Sequence, residues 1–112
     1  MNINDLTIGQ FKELTAMMKK ESDNEESLPF KVGDIILIRT VTMIQVGTVE
    51  AITAQFIQLR DAGWVADSGR FGECLANGTL SEFERAPSWV LVSRGAIVDV
   101  YPWDHEVPAE SL

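Results

Sequence analysis

The run of strand-forming residues at positions 32–53 constrains the fold of this chain more than any other feature. Residues 35–42 are rich in β-branched side chains, which suit a pleated surface, and residues 44–53 repeat that composition around Gly47. A glycine inside a strand pattern indicates a bulge or a sharp bend. Residues 55–60 alternate again, so the sequence predicts a meander of three consecutive strands.

An arginine lies inside the first of these strands. Successive side chains of a strand point to opposite faces, so Arg39 shares a face with Leu37 and Val41. Both faces of the strand are mostly apolar, and neither is expected to face open water. A guanidinium in that setting reaches toward an edge, pairs with a carboxylate, or receives an anionic ligand. The residues alone leave these three alternatives open.

Composition narrows the class of protein. A chain of 112 residues is long enough for one domain with a single core. A net charge of −8 disfavours binding to phosphate backbones, so duplex nucleic acid is not an expected partner. The one cysteine, Cys74, excludes an intramolecular disulfide and a cysteine-rich zinc site. No apolar run approaches the roughly 20 residues needed to cross a bilayer, and a secretory signal pattern is missing, so we expect no membrane partner and a cytoplasmic location.

The N-terminal part has the pattern of a helix followed by a tether. Within residues 1–20, Thr7 and Gln10 form a possible capping box, and apolar residues such as Phe11 and Leu14 recur at helical spacing. Residues 21–27 are polar and acidic and have nothing to bury. We therefore divide the chain into an N-terminal helix and acidic tether (1–31), a β domain (32–108) and a short tail (109–112).

A second helix is predicted inside the β domain. Residues 69–77 place Phe71, Cys74 and Leu75 on one face, and Gly78 is suited to end the helix. Residues 61–69, which precede it, read as a loop. Further strand patterns occupy residues 80–85, 89–93 and 96–101.

The fold class follows from the order of these elements. Arg94 and Gly95 predict a tight turn between the last two strands, and a Val-Gly-Asp turn at residues 32–34 before an apolar strand is typical of small SH3-like barrels. We expect a mainly β fold with some α: a small SH3-like or Sm-like barrel of about five strands, with an inserted short helix and an N-terminal helix.

No residue pattern indicates catalysis. His105 lies between Asp104 and Glu106, but neighbours in sequence cannot all point at one metal ion from a single strand or helix. Cys74 has no histidine close in sequence that could activate it, and a glycine-rich phosphate loop is missing. We therefore predict a protein that is not an enzyme and that uses no metal or cofactor.

Three blocks of sequence carry a resemblance. They are IRTVTM at residues 38–43, WVADSGRF at residues 64–71 and IVDVYPW at residues 97–103. Together they resemble a family of small, largely uncharacterised proteins of tailed bacteriophages and prophages, over roughly residues 32–108. The resemblance implies a phage origin and supplies no activity or ligand.

A small-molecule binding role is the first hypothesis for function. Arginine offers a planar fork for phosphate or carboxylate, and tryptophan offers a stacking surface. The predicted ligand-binding residues are Arg39, Thr40, Thr42, Trp64, Ser68 and Arg70. They would hold a small nucleotide-like anion, and a phage protein of this kind would sequester such a signal of host defence in the host cytoplasm. The competing interpretation is structural: Arg70 pairs with Asp67 or Glu73, and Trp64 fills the core.

The second hypothesis is a virion structural or assembly protein, such as a head or decoration protein. It would act through protein–protein contacts made by Trp89, Trp103 and the N-terminal helix. Both hypotheses predict a homo-oligomer, because the apolar strand faces and the N-terminal stripe exceed what one small barrel covers.

Overall fold

The computed structural model describes residues 28–112. The predicted N-terminal helix of residues 1–20 and the acidic tether of residues 21–27 lie outside this range. The described elements are β1 (Ile35–Thr40), β2 (Ile44–Ile52), β3 (Phe56–Asp67), α1 (Phe71–Asn77), β4 (Glu82–Arg85), β5 (Val90–Ser93), a 3₁₀ turn (Arg94–Ala96) and β6 (Ile97–Pro102). None of the helices in the described range is long and apolar enough to span a membrane.

The six strands form one antiparallel sheet. Five of them follow the order β4-β3-β2-β1-β6, and the sixth, β5, pairs with β3. The mainly β character with an inserted short helix is thus confirmed. The register of β2 against β3 shifts between Val46 and Thr48, so the bulge predicted at Gly47 is present. A side chain on Gly47 would place its Cβ 2.4 Å from the Cβ of Ala62, which explains why the bulge takes a glycine.

The third strand is longer than the sequence predicted. It continues through residues 61–67, which we interpreted as a loop, and spans 12 residues. Its first half pairs with β5, and its second half pairs with β4. The buried side chains of Ala62 and Val65 stabilise this continuation. The sequence did not predict it because Asp-Ala-Gly at residues 61–63 resembles a turn.

The described strands leave the sheet open. The tight turn predicted at Arg94 and Gly95 is a 3₁₀ turn, and the two strands beside it do not pair with each other. β5 pairs with β3, whereas β6 pairs with β1 at the opposite edge of the sheet. The hydrogen bonding of residues 28–112 therefore does not close a barrel.

Both faces of β1 are buried over residues 36–38, as the apolar composition predicted, whereas Val41, which the predicted strand included, follows β1 and is 85% exposed. Ile36 and Ile38 belong to one core cluster, which is completed by Val49, Ile57, Leu59, Ala62 and Val92. Leu37 belongs to a second cluster on the other face, which is completed by Val46, Val65, Cys74, Phe83 and Trp103. Trp103 is only 2% exposed, so the prediction that it makes outward contacts is wrong. Its indole fills the second cluster instead.

The C-terminal segment is attached to the sheet. Trp103 N–H donates to Ile35 O at 3.0 Å, and Leu112 N–H donates to Phe83 O at 2.8 Å. Between these points, His105 Nε2 lies 2.9 Å from Leu75 O of α1. The segment therefore extends from the end of β6 past α1 to β4, and the predicted tail of residues 109–112 reaches the sheet there.

Candidate functional site

The register of the first and last strands determines the surroundings of Arg39. β1 and β6 are antiparallel neighbours, and Arg39 lies directly opposite Asp99. Arg39 Nε donates to Asp99 Oδ1 at 2.7 Å, and Arg39 Nη2 donates to Asp99 Oδ2. The Tyr101 hydroxyl donates to the same Oδ2 at 2.9 Å. Of the three alternatives that the sequence left open, the structure shows pairing with a carboxylate.

Two aromatic rings complete what we call the Arg39 cluster: Arg39, Asp99, Tyr101 and Phe71. Arg39 Cζ lies 5.4 Å from the centroid of the Phe71 ring and 6.0 Å from that of Tyr101. The two rings meet edge to face at 5.1 Å. The side chains of Arg39 and Asp99 are 40% and 29% exposed. The cluster therefore lies at the surface, where solvent reaches one side of the ion pair.

The ionisation of the cluster follows from its hydrogen bonds. The hydrogen bonds from Arg39 lower the pKa of Asp99, with a smaller contribution from Tyr101 and against the effect of burial. The Asp99 carboxylate raises the pKa of Arg39 and, together with burial, that of Tyr101. At neutral pH the cluster holds one cation, one anion and a neutral phenol. Its net charge is zero, which weakens its attraction for a further anion.

Four of the six predicted ligand-binding residues come together. They line one open groove of about 340 Å³, which we call the Arg39 groove, and they are Arg39, Thr40, Thr42 and Trp64. The Thr40 hydroxyl is engaged in the β1–β2 turn, where it donates to Met43 O and accepts the Met43 N–H, both at 3.1 Å. Val41 and Met43, which also line the groove, are exposed, and Trp64 is 40% exposed rather than core filling. The exposed side chains of the groove therefore combine these apolar groups with the polar side chains of Arg39 and Thr42.

The other two predicted residues lie elsewhere. The Ser68 hydroxyl donates to Gly69 O at 2.9 Å, and Arg70 is an exposed residue that precedes α1. Neither lines the Arg39 groove. Among the ion pairs of residues 28–112, Arg70 pairs with neither Asp67 nor Glu73, so the competing structural interpretation of Arg70 is also not observed.

Sequence reasoning did not find the partners of Arg39. Asp99 and Tyr101 are two residues apart in the last strand, so they share a face, and this spacing was the available signal. This spacing identifies Asp99 as the partner of Arg39 only after β6 is placed beside β1. The separation of 60 residues between Arg39 and Asp99 hides that placement from a local pattern.

The remaining reactive side chains are in structural positions. Cys74 is buried in the second core cluster, and burial raises the pKa of its thiol. The His105 ring lies edge to face with Trp103, with 5.2 Å between the ring centroids. Within residues 28–112, no group of three or more His, Cys, Asp or Glu side chains is arranged to hold a metal ion.

Comparison with known proteins gives no relative: no protein-family model, no curated protein and no solved structure matches this chain. The resemblance of the three sequence blocks to phage proteins stays a prediction.

Proposed function

We propose that this chain is a phage-encoded, non-enzymatic binding protein that works through protein–protein contacts as a structural or assembly component of the virion. One observation carries this proposal. The arginine that could have received an anion already holds Asp99. Three of the exposed side chains beside it are large and apolar: Val41, Met43 and Trp64.

The exposed apolar surface of the Arg39 groove favours a macromolecular partner. Val41 is 85% exposed at the β1–β2 turn, next to the exposed Met43. Grouped apolar side chains of this kind mark interaction surfaces, and aromatic residues such as Trp64 often dominate the binding energy. Full burial of an exposed side chain such as Val41 contributes about 1.5 kcal/mol. Met43 and Trp64, which are already partly buried, would each gain only part of the value for full burial.

The strand arrangement supports a finer proposal about the fold. We infer that the domain is an opened variant of an SH3-like or Sm-like barrel. The support is the path β6-β1-β2-β3-β5, in which the last strand returns to the first, together with the 3₁₀ turn between β5 and β6.

Purified phage particles test the protein–protein role. We expect mass spectrometry to find this chain in the particles at stoichiometric amounts. The double substitution Met43→Ser and Trp64→Ser should lower incorporation at least tenfold, because it removes apolar contact area from the groove. Val98→Ser on β6 is the matched control, since Val98 is also exposed but lies outside the groove. If the chain is absent from particles, the virion role is wrong.

A second candidate function is sequestration of a small nucleotide-like anionic signal of host defence in the host cytoplasm. The observation that favours it is the convergence of Arg39, Thr42 and Trp64 on one groove, with the guanidinium 40% exposed beside Asp99. An anion could contact the open edge of the guanidinium while its ring lies against the indole. This role requires no catalysis.

Calorimetry tests the second candidate. Cyclic and ADP-ribose-derived nucleotides should bind the wild-type protein, and Arg39→Ala should weaken binding at least tenfold, because a charged hydrogen bond contributes about 1.5–3 kcal/mol. Arg94→Ala is the control, since Arg94 donates to Thr53 O outside the groove. Absence of heat with every nucleotide would contradict sequestration.

A further inference from the structure

A second groove, separate from the Arg39 groove, opens on the described surface. It has a volume of about 430 Å³ and lies where β2 and β3 meet the loop between β4 and β5. We call it the Trp89 groove, and its main lining residues are Glu50, Arg60, Asp61, Arg85, Pro87 and Trp89. None of these residues lines the Arg39 groove.

One wall of the Trp89 groove is built from a strained backbone. Asp61 has φ 47°, which side-chain-bearing residues rarely adopt, and it lies in the irregular part of the β2–β3 pairing. Arg85 Nη2 donates to Asp61 Oδ1 at 3.0 Å, and Arg85 Nη1 donates to Pro108 O at 2.8 Å. Asp61 and Arg85 are therefore paired along this wall. Residues with side chains at positive φ occur preferentially at functional sites.

Two polar side chains of the groove keep free hydrogen-bonding capacity. Arg60 has an ion-pair contact of 3.5 Å with Asp61, and half of its side chain is exposed. Glu50 accepts from Gln58 Nε2 at 3.1 Å through Oε2, and its other carboxylate oxygen takes no hydrogen bond from a described residue. The groove thus presents a guanidinium donor and a carboxylate acceptor to one space.

Trp89 supplies a flat surface beside these groups. Val90 lies opposite Leu59 in the β3–β5 pairing, so Trp89, one residue earlier, comes next to Arg60. The indole is 57% exposed although it is one of the largest apolar side chains in the chain. An open aromatic face of this kind is suited to stack on a planar ring.

We propose that the Trp89 groove binds a guanine base carried by a nucleoside or a mononucleotide. The ring would stack on Trp89, the O6 and N7 acceptors would face Arg60, and the N1–H and N2–H donors would face Glu50. Guanine presents acceptors and donors on neighbouring edges in this way, and arginine and carboxylate are their matching partners. Adenine has an amino group in place of O6. That amino group is a hydrogen-bond donor and would face the donors of Arg60, so no hydrogen bond could form there.

The charges of the groove favour a single nucleoside or mononucleotide over a nucleic-acid strand. Arg60 and Arg85 are balanced by Glu50 and Asp61, so the groove offers no excess positive charge for a phosphate. The net charge of −8 also disfavours a nucleic-acid strand. Guanosine and its monophosphate should therefore bind with affinities within a few fold of each other.

Titration of the full isotopically labelled chain, followed by nuclear magnetic resonance of its tryptophan indoles and backbone amides, tests this inference. Guanosine should shift the Trp89 signal saturably and bind at least about tenfold more tightly than adenosine, the discrimination expected for paired base-edge hydrogen bonds. Trp89→Ala should abolish binding, and Glu50→Gln should weaken it about tenfold. Val98→Ser, an exposed change that lies outside both grooves, should leave guanosine affinity unchanged.

Defined outcomes would overturn the inference. They are the absence of a saturable shift at millimolar guanosine, equal affinity for adenosine, or unchanged binding by the Trp89→Ala variant. Shifts centred on Trp64 instead of Trp89 would place the ligand outside the Trp89 groove and equally contradict the inference. The signal of Trp103, which is buried in the core, reports whether each variant remains folded.

Discussion

At the scale of single residues, the contact between Arg39 and Asp99 joins the first strand to the last. Two hydrogen bonds run in parallel between the guanidinium and the carboxylate, and Tyr101 adds a third to the same acid. Because both charged side chains keep contact with water, the ion pair avoids the full desolvation cost of a buried pair. We interpret this ion pair as a surface contact that holds β1 and β6 together.

This ion pair predicts a pH dependence of stability. The folded state lowers the pKa of Asp99, so the stabilising contribution is present above the unfolded value of about 3.9 and is lost as pH falls through the lower folded value. Asp99→Asn lacks this contribution, so the stability gap between wild type and variant should be constant near neutral pH and shrink below about pH 4. Urea unfolding from pH 3 to pH 7 measures the gap. Asp104→Asn, an exposed change outside the ion pair, is the control, and a gap independent of pH would contradict the assignment.

The residue that matters most in the cluster was visible in the sequence, and its partner was not. An arginine among apolar strand residues has few physically acceptable surroundings, so Arg39 could be singled out from local pattern alone. The choice between a protein carboxylate and an external anion depended on which strand lies beside β1. Nothing in the local sequence of β1 contains that information, because strand neighbours are set by the packing of the whole sheet.

At the scale of elements, β3 organises the sheet because it pairs with three other strands. Its sequence contains Asp-Ala-Gly at residues 61–63, which resembles a turn and led us to end the strand too early. The structure shows that these residues have roles within the strand. Asp61 adopts a positive φ within the irregular pairing, and Gly63 lies against β4, where a side chain does not fit. Here Asp61 provides a positive φ and Gly63 allows β4 to approach closely, so these residues do not form a turn.

The close approach at Gly63 predicts a large effect of one methyl group. In Gly63→Ala, the new Cβ would lie 2.4 Å from Glu84 O and from the Phe83 ring, so β4 or the ring must move. We expect a loss of about 1–3 kcal/mol in the free energy of unfolding, the usual cost of overpacking. Gly72→Ala is the matched control, because no atom lies within 4 Å of its new Cβ and alanine favours the helix by up to about 1 kcal/mol. Equal urea midpoints for the two variants would contradict the packing argument.

The attachment of the C-terminal segment predicts an effect of truncation. Arg85 N–H donates to Ser111 Oγ at 2.9 Å, and Leu112 N–H donates to Phe83 O. Removing residues 111 and 112 should lower the free energy of unfolding by about 1–3 kcal/mol, two hydrogen bonds at the usual net value. Hydrogen exchange should show faster exchange at the Arg85 amide. Ser111→Ala, which removes one of the two contacts, should give about half of the effect, and unchanged exchange in the truncated chain would contradict the contact.

At the scale of the whole molecule, the apolar surface is distributed differently from our expectation. The homo-oligomer was predicted because the apolar strand faces and the N-terminal stripe together exceed what one small barrel covers. The described residues cover both faces of β1 with their own core clusters, and the N-terminal stripe lies outside the described residues. The exposed apolar side chains of the Arg39 groove are candidate contacts for association between copies. The apolar composition of β1 predicts that both of its faces are covered, but the elements that cover them could not be read from strand patterns alone, since they depend on the path of β3 and on the C-terminal segment.

The homo-oligomer stays a prediction, and its interface can now be specified. If the groove mediates contact between copies, light scattering of the full chain should give a mass that is a multiple of 12.4 kDa. Val41→Ser combined with Trp64→Ser should shift that mass toward the monomer, because it removes apolar area from a surface that both partners would bury. Val98→Ser on β6 provides the comparison. The outer edge of β6 has no pairing strand among the described residues, and such edges are an alternative site of association. A monomeric wild-type chain would contradict the oligomer, and dissociation by Val98→Ser alone would place the interface at β6 instead of the groove.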